Sequence, residues 1–184
     1  MRRVIGLLAL LLLFRSPAAA AGQDPRLAAR LDSTTRVQVE ATLLTARADH
    51  LPTEPLVQKA LEGASKGAPG PRIVAAVSTV LADLRRAREA LGRPAADDEL
   101  VAAAAALRAG ATPAMIGEMR QVVPRGAVAV PLAVFTDLVA GGMGADDAWR
   151  SVATLAREGG DDDAFLRLRD RLESPPPGAA PEAP

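Results

Sequence analysis

The sequence predicts an all-α fold, a compact orthogonal bundle or an irregular stack of about seven to eight short helices. Apolar residues recur at three- and four-residue spacing, and no window beyond residue 21 alternates apolar with polar residues between hairpin turns. Glycine, proline and capping residues interrupt the helical pattern at short intervals. The chain is 49% hydrophobic but only 2% aromatic, and its many alanines favour closely packed helices.

The N-terminal segment has the three parts of a secretory signal peptide. Two arginines follow the initial methionine, residues 4–14 are apolar, and residues 18–21 are alanines of the kind that precede a cleavage site. A membrane span needs about 20 consecutive apolar residues, and this run is shorter. We therefore expect residues 1–21 to be removed and the protein to be exported, periplasmic or extracellular, with no stable membrane span after cleavage.

The rest of the chain predicts one helical domain and a tail. Residues 22–173 carry the helical pattern, whereas residues 174–184 are rich in proline and alanine and predict a disordered tail. The first strong helix begins at Asp32 or Ser33, since either side chain can cap it. The apolar residues that recur at helical spacing in this helix are Val37, Ala41, Leu44 and Ala48.

A second helix is predicted near residues 53–67. Thr53 is an N-cap candidate, Pro55 is tolerated in a first turn, and Gly67 marks the end. The sequence from residue 51 to residue 67, LPTEPLVQKALEGASKG, followed by PRIV at residues 71–74, resembles a segment of uncharacterised exported bacterial proteins. This resemblance implies export and a helical fold, and it carries no activity.

The longest predicted helix follows the turn at residues 69–71. Its apolar stripe consists of Ile73, Val77, Val80, Leu81, Leu84 and Leu91. Gly92 and Pro94 end it, because glycine adopts the left-handed region and proline cannot continue the helix. Asp97 or Asp98 is expected to cap the next helix, which runs through an alanine block.

The remaining predicted helices follow glycine-rich turns. Gly110, Gly142 and Gly159 each precede a small or acidic capping residue, and residues 128–140 form one further apolar helix. The spacing between these turns is unequal, so the fixed period of tetratricopeptide or ankyrin arrays is missing. We expect helices packed as a bundle or as irregular hairpins.

Composition excludes several kinds of site. The chain has no cysteine and one histidine, so we expect no cysteine or multi-histidine metal centre, no thiol nucleophile and no cofactor. Removing residues 1–21 removes three arginines, which leaves 19 basic and 22 acidic residues and a net charge of −3. Nucleic acid is not an expected partner, because phosphate binding favours a basic protein with more aromatic side chains.

The candidate binding residues are Lys59, Glu62 and Lys66. Lys59 and Lys66 are the only lysines of the chain. They lie three residues before and four residues after Glu62, so the three side chains share one face of a helix. One interpretation is a small charged site for an anionic ligand or for a carboxylate of a partner. The alternative is an ordinary surface ion-pair ladder near a helix C-terminus.

Three other features favour structural roles. His50 follows the first strong helix, where it is expected to interact with the last carbonyls, and no Gly-x-Ser-x-Gly motif accompanies it. The aspartates at residues 161–163 fit a helix cap better than a calcium loop. Residues 108–120 have the outline of a helix-turn-helix, but apolar side chains stand where base-reading residues would be.

These observations predict an exported, non-catalytic helical module of the bacterial envelope that binds a protein partner. No residue is assigned a catalytic role. One alternative is an envelope enzyme that uses Asp, Glu or Arg side chains. Another is a carrier for an apolar ligand, which the adaptable side chains of Met115, Met119 and Met143 could line.

Overall fold

The structure, a computed structural model, describes residues 24–124 and 127–173, and all the regular secondary structure in these ranges is helical. Nine helices occur in these ranges: α1 Pro25–Ala28, α2 Ser33–Ala48, α3 Glu54–Ser65, α4 Gly70–Leu91, α5 Asp97–Arg108, α6 Pro113–Val122, α7 Ala129–Ala140, α8 Ala145–Arg157 and α9 Asp162–Glu173. The all-α prediction is confirmed. The additional helix, α1, is a single turn before the first predicted one. The predicted signal peptide and tail lie outside the described residues.

Helix α4 lies at the centre of the first half of the fold. It is the longest described helix, at 22 residues, and it packs against α2, α3, α5 and α6. The predicted apolar stripe from Ile73 to Leu91 is buried along its length. Gly92 ends α4 with a φ of +71°, a conformation that glycine adopts at little cost, so the predicted stop is confirmed.

Helix α7 organises the second half. It packs against α5, α8 and α9, and its side chains Leu132, Val134, Phe135 and Leu138 are buried. The rings of Phe135 and Trp149 meet edge to face, with centroids 5.9 Å apart and planes at 78°, an arrangement that aromatic pairs prefer. Helix α5 contacts both α4 and α7 and thereby joins the two halves.

The buried face of α2 is not the face that carries its predicted apolar residues. The side of α2 that packs into the core carries Thr35, Val39, Leu43 and Ala46. Val37 and Leu44, which lead the predicted stripe, are 61% and 59% exposed, and Ala41 and Ala48 are exposed as well. Helical spacing was therefore correct, but α2 carries two apolar faces and α4 covers only one of them.

The predicted caps are confirmed in part. Asp32 caps α2, and its carboxylate accepts a hydrogen bond from the Thr35 N–H at 3.0 Å. Thr53 occupies the N-cap position of α3 without a side-chain hydrogen bond. The prediction for α5 was wrong. Ala96 is the N-cap and supplies no capping side chain, and the Glu99 carboxylate in the first turn accepts a hydrogen bond from the Ala96 N–H at 2.9 Å, which is the glutamate half of a capping box.

Candidate functional site

The structure brings the predicted residues Lys59, Glu62 and Lys66 together. Lys59 Nζ lies 2.8 Å from Glu62 Oε2, and Lys66 Nζ lies 2.5 Å from Glu62 Oε1. Hydrogen bonds from Lys59 and then from Lys66 lower the pKa of Glu62 to about 2, because both stabilise the ionised carboxylate. The side chains are 35%, 43% and 69% exposed in chain order, so the cluster is a surface ion-pair ladder.

Two open cavities border this ladder, and the one of about 580 Å³ is lined by Glu62 together with Arg26 and Arg30. Lys59 and Glu62 line a shallow cavity of about 310 Å³, together with Val80 and Arg108. Both ammonium groups already bind Glu62, and Arg108 Nε lies 3.7 Å from a carboxylate oxygen of Asp83. An incoming anion would have to compete with these carboxylates. Ligand binding by Lys59, Glu62 and Lys66 stays a prediction. Their geometry is the one expected of the alternative, an ordinary surface ion-pair ladder.

The other features singled out in the sequence take part in helix termini. His50 is exposed and has a φ of +55°, and its carbonyl accepts a hydrogen bond from Arg88 at 2.7 Å. Asp161 Oδ1 accepts a hydrogen bond from the Ala164 N–H at 2.8 Å, so the predicted cap of α9 is confirmed. In the turn between α5 and α6, Thr112 caps α6 by accepting a hydrogen bond from a backbone N–H.

Two buried acids were not recognised in the sequence. Glu99 is 2% exposed and its Oε1 accepts a hydrogen bond from Arg120 at 2.7 Å, while Arg120 also donates to the Pro94 carbonyl at 2.6 Å. Asp83 is 2% exposed and accepts a hydrogen bond from Arg86 at 2.5 Å. Charged residues usually predict solvent-exposed positions, so only their partners in the fold reveal these ion pairs.

An open groove lies between α3, α5 and α7, and we call it the α3–α5–α7 groove. Its volume is about 800 Å³, within the range of roughly 300 to 1,000 Å³ that is typical of ligand pockets. The apolar residues that line it are Pro52, Pro55, Val101, Ala102, Ala105, Ala129, Val130 and Ala133. Gln58 and Thr136 contribute the uncharged polar groups.

The remaining lining residues of the groove are acidic. Glu54, Asp97, Asp98 and Asp137 contribute to it, and no lysine or arginine is among the lining residues. The Glu54 carboxylate is held by Arg26, at 2.8 and 2.9 Å, and by Gln58. These hydrogen bonds, that from Arg26 first, lower the pKa of Glu54 to about 2. Its charge therefore persists at neutral pH.

The aspartates differ in how far other residues neutralise them. Asp137 Oδ2 lies 3.7 Å from Arg169, which also binds Asp170. Asp98 accepts a hydrogen bond from the Glu99 N–H at 2.9 Å. Within the part of the chain that the structure describes, neither Asp97 nor Asp98 forms a salt bridge with a basic side chain. The acidic edge at the start of α5 is thus the part of the groove whose charge is least compensated.

Sequence reasoning missed this groove because three distant segments form it. The prolines before and within α3, the alanine block of α5 and the apolar helix α7 were each visible in the sequence. Nothing in a single sequence indicates that these elements meet around an open space. The adjacent aspartates at residues 97 and 98 were a usable signal, but the same pattern occurs at the start of α8, so it did not distinguish α5.

A metal site and a membrane-spanning helix are both absent from the described residues. Residues 24–124 and 127–173 contain no group of three or more side chains placed to hold a metal ion. No helix in these same ranges is long and apolar enough to cross a bilayer. Comparison with protein-family models, with curated proteins and with solved structures finds no match to this chain.

Proposed function

We propose that the protein is an exported, non-catalytic binding module of the bacterial envelope, and that the α3–α5–α7 groove receives apolar side chains of a protein partner. The observation that carries this proposal is the open apolar surface at the groove. Helices that are apolar on most of their circumference are normally covered on all sides. In α5 and α7, Val101 and Ala133 are exposed, although both line the same concave surface.

Export rests on the signal-peptide pattern at residues 1–21. Mass spectrometry of the intact protein, recovered from cells that express the full chain, measures whether this segment is removed. We expect the recovered protein to begin at residue 21 or 22 and to be enriched in the envelope or the medium. A full-length protein in the cytoplasm would contradict export and leave the groove proposal to its own test.

The chemistry of the groove supports binding over catalysis. A general acid or base works best when its pKa lies near the working pH, whereas Glu54 has a pKa of about 2 and is held by Arg26. The groove also lacks the lysine or arginine that would stabilise a developing negative charge. Turnover in a hydrolase screen of the purified protein, abolished by a single substitution of Asp97 or Asp98, would instead establish the enzyme alternative.

An apolar-ligand carrier is the second candidate, because the groove is large enough for a small ligand. None of the three methionines that suggested this alternative, Met115, Met119 and Met143, lines the groove. Met119 is fully buried in the core. An anionic amphiphile such as a fatty acid would also meet the acidic side chains there. Native mass spectrometry that finds a co-purified lipid would support the carrier.

The test of the proposed function fills the groove without disturbing the core. Ala133 is exposed on the groove lining, so Ala133→Trp should occupy part of the space. Ala82 is an exposed alanine in the middle of α4, outside the groove, and Ala82→Trp is the matched control. In affinity capture from native envelope extract, a partner should bind the wild type and Ala82→Trp but not Ala133→Trp. Equal capture by all three proteins would refute the groove as the binding surface.

A further inference from the structure

We infer that the partner presents a cationic amphipathic α-helix to the α3–α5–α7 groove, with apolar side chains on the groove surface and lysines or arginines beside Asp97 and Asp98. This inference rests on the proposed function and specifies the chemistry of the partner. It follows from three properties of the groove: its helical lining, the small size of its apolar side chains and the sign of its charge.

The helical lining of the groove is about as long as two turns of a docked helix. The groove residues of α5 extend from Asp97 to Ala105, and those of α7 extend from Ala129 to Asp137. At 1.5 Å per residue each stretch is about 12 Å long, or roughly two helical turns. A groove lined by helical segments of this length suits an amphipathic helix, which docks through residues at i, i+3, i+4 and i+7.

The size of the lining residues predicts large apolar anchors in the partner. Ala102 and Ala105 line the groove on α5, and Ala129 and Ala133 line it on α7. Alanine lets a partner backbone approach closely and leaves space above the groove surface. Leucine, isoleucine or phenylalanine would fill that space, whereas alanine from the partner would leave voids and forfeit contact energy.

The charge around the groove determines the sign of the partner. All four charged lining residues are acidic. Glu54 and Asp137 each have an arginine nearby, but no salt bridge to Asp97 or Asp98 occurs in the described parts of the chain. A cationic flank would gain attraction at the start of α5, while an acidic flank would be repelled by the same residues.

The same charge argues against other occupants. The predicted tail at residues 174–184 contains one glutamate and no basic residue, so it lacks the complementary charge. A second copy that docked groove to groove would bring acidic residues against acidic residues. An anionic lipid would meet the same repulsion. A basic amphipathic segment of another protein satisfies both the apolar lining and the charge.

Two synthetic peptides test the inference directly. Both carry leucines at i, i+3, i+4 and i+7 and are hydrocarbon-stapled so that they are helical before binding; one has lysines on its flanks and the other has glutamates. Fluorescence anisotropy with the wild-type protein should show the lysine peptide binding at least about tenfold more tightly. Its affinity should fall as salt rises from about 0.05 to 0.5 M, since exposed ion pairs are screened.

Substitutions locate the interaction. Asp97→Asn/Asp98→Asn should weaken the lysine peptide about tenfold and leave the glutamate peptide unchanged or tighter. Asp162→Asn/Asp163→Asn is the matched control, because these aspartates also lie in the first turn of a helix, α9, and do not line the groove. It should change neither affinity. Ala133→Trp should abolish binding of the lysine peptide.

The outcomes separate the inference from the proposed function. Equal affinity for the two peptides, with Ala133→Trp blocking both, would overturn the cationic partner and retain the groove. No binding of the lysine peptide up to about 1 mM would also overturn the inference, and the capture experiment would then judge the groove alone. Sedimentation that shows a wild-type dimer and an Ala133→Trp monomer would identify the occupant as a second copy instead.

Discussion

Replacing Leu43 with alanine should destabilise the protein far more than the same replacement at Leu44. Leu43 is fully buried and Leu44 is 59% exposed, although the two are adjacent in α2. Truncating a fully buried leucine removes its apolar contacts and leaves a cavity, which costs about 2 to 5 kcal/mol. Truncating Leu44 leaves no cavity, so its effect should stay within about 0.5 kcal/mol.

Thermal and urea denaturation followed by circular dichroism measure this difference. For a folded region of this size each kcal/mol shifts Tm by about 2 to 4 °C, so a loss of about 3 kcal/mol at Leu43 predicts a shift of about 6 to 12 °C. Leu44→Ala should leave Tm nearly unchanged, and the urea m-value should be the same for both variants. A cost at Leu44 equal to that at Leu43 would show that the orientation of α2 is wrong.

Three further predictions concern charge and glycine. Arg120→Met should destabilise the protein by about 3 to 5 kcal/mol in urea, because it leaves Glu99 buried without its partner; unchanged stability would contradict this. Gly70→Ala should cost about 1 to 3 kcal/mol, since a Cβ there would lie 2.0 Å from a threonine hydroxyl. The control Gly117→Ala, in the interior of α6 with no neighbour closer than 3.9 Å, should stabilise by about 0.5 to 1 kcal/mol in the same assay. NMR titration should find Glu62 ionised down to about pH 3, because its folded pKa is about 2. The contribution of Glu62 to the free energy of unfolding should be complete above its unfolded pKa of about 4.3 and should be lost as the pH falls through the folded pKa. A measured pKa in the ordinary range of glutamate would contradict the ion-pair ladder.

Local signals predicted the described helices because each one acts within a single turn. Gly92 ends α4, Asp32 begins α2 and Asp161 begins α9 through bonds that involve only their sequence neighbours. The failure at α5 has a local cause as well. Glu99, in the first turn, accepts a hydrogen bond from the backbone N–H of Ala96, and this buried glutamate also binds Arg120, which lies 21 residues away.

Burial could not be predicted in α2 and α5 because both are apolar on more than one side. Ala103, Ala104 and Ala106 are buried in α5, whereas Ala102 and Ala105 line the groove, and identical side chains carry no signal that separates these positions. The candidate site depends on the same distinction. The sequence shows which helices are apolar, but only their packing shows which apolar surface remains uncovered.

The acidic residues beside the groove oppose self-association through its apolar surface. Exposed apolar patches favour contacts between copies, and like charges around them oppose such contacts. If two grooves met, acidic lining residues of one copy would approach those of the other, and no basic residue lines the groove to offset that repulsion. A partner that supplies the missing positive charges would remove the repulsion and cover the apolar surface in one step. Neutralising both aspartates should therefore weaken a cationic partner while increasing self-association, a pair of opposite effects that simple destabilisation of the fold would not produce.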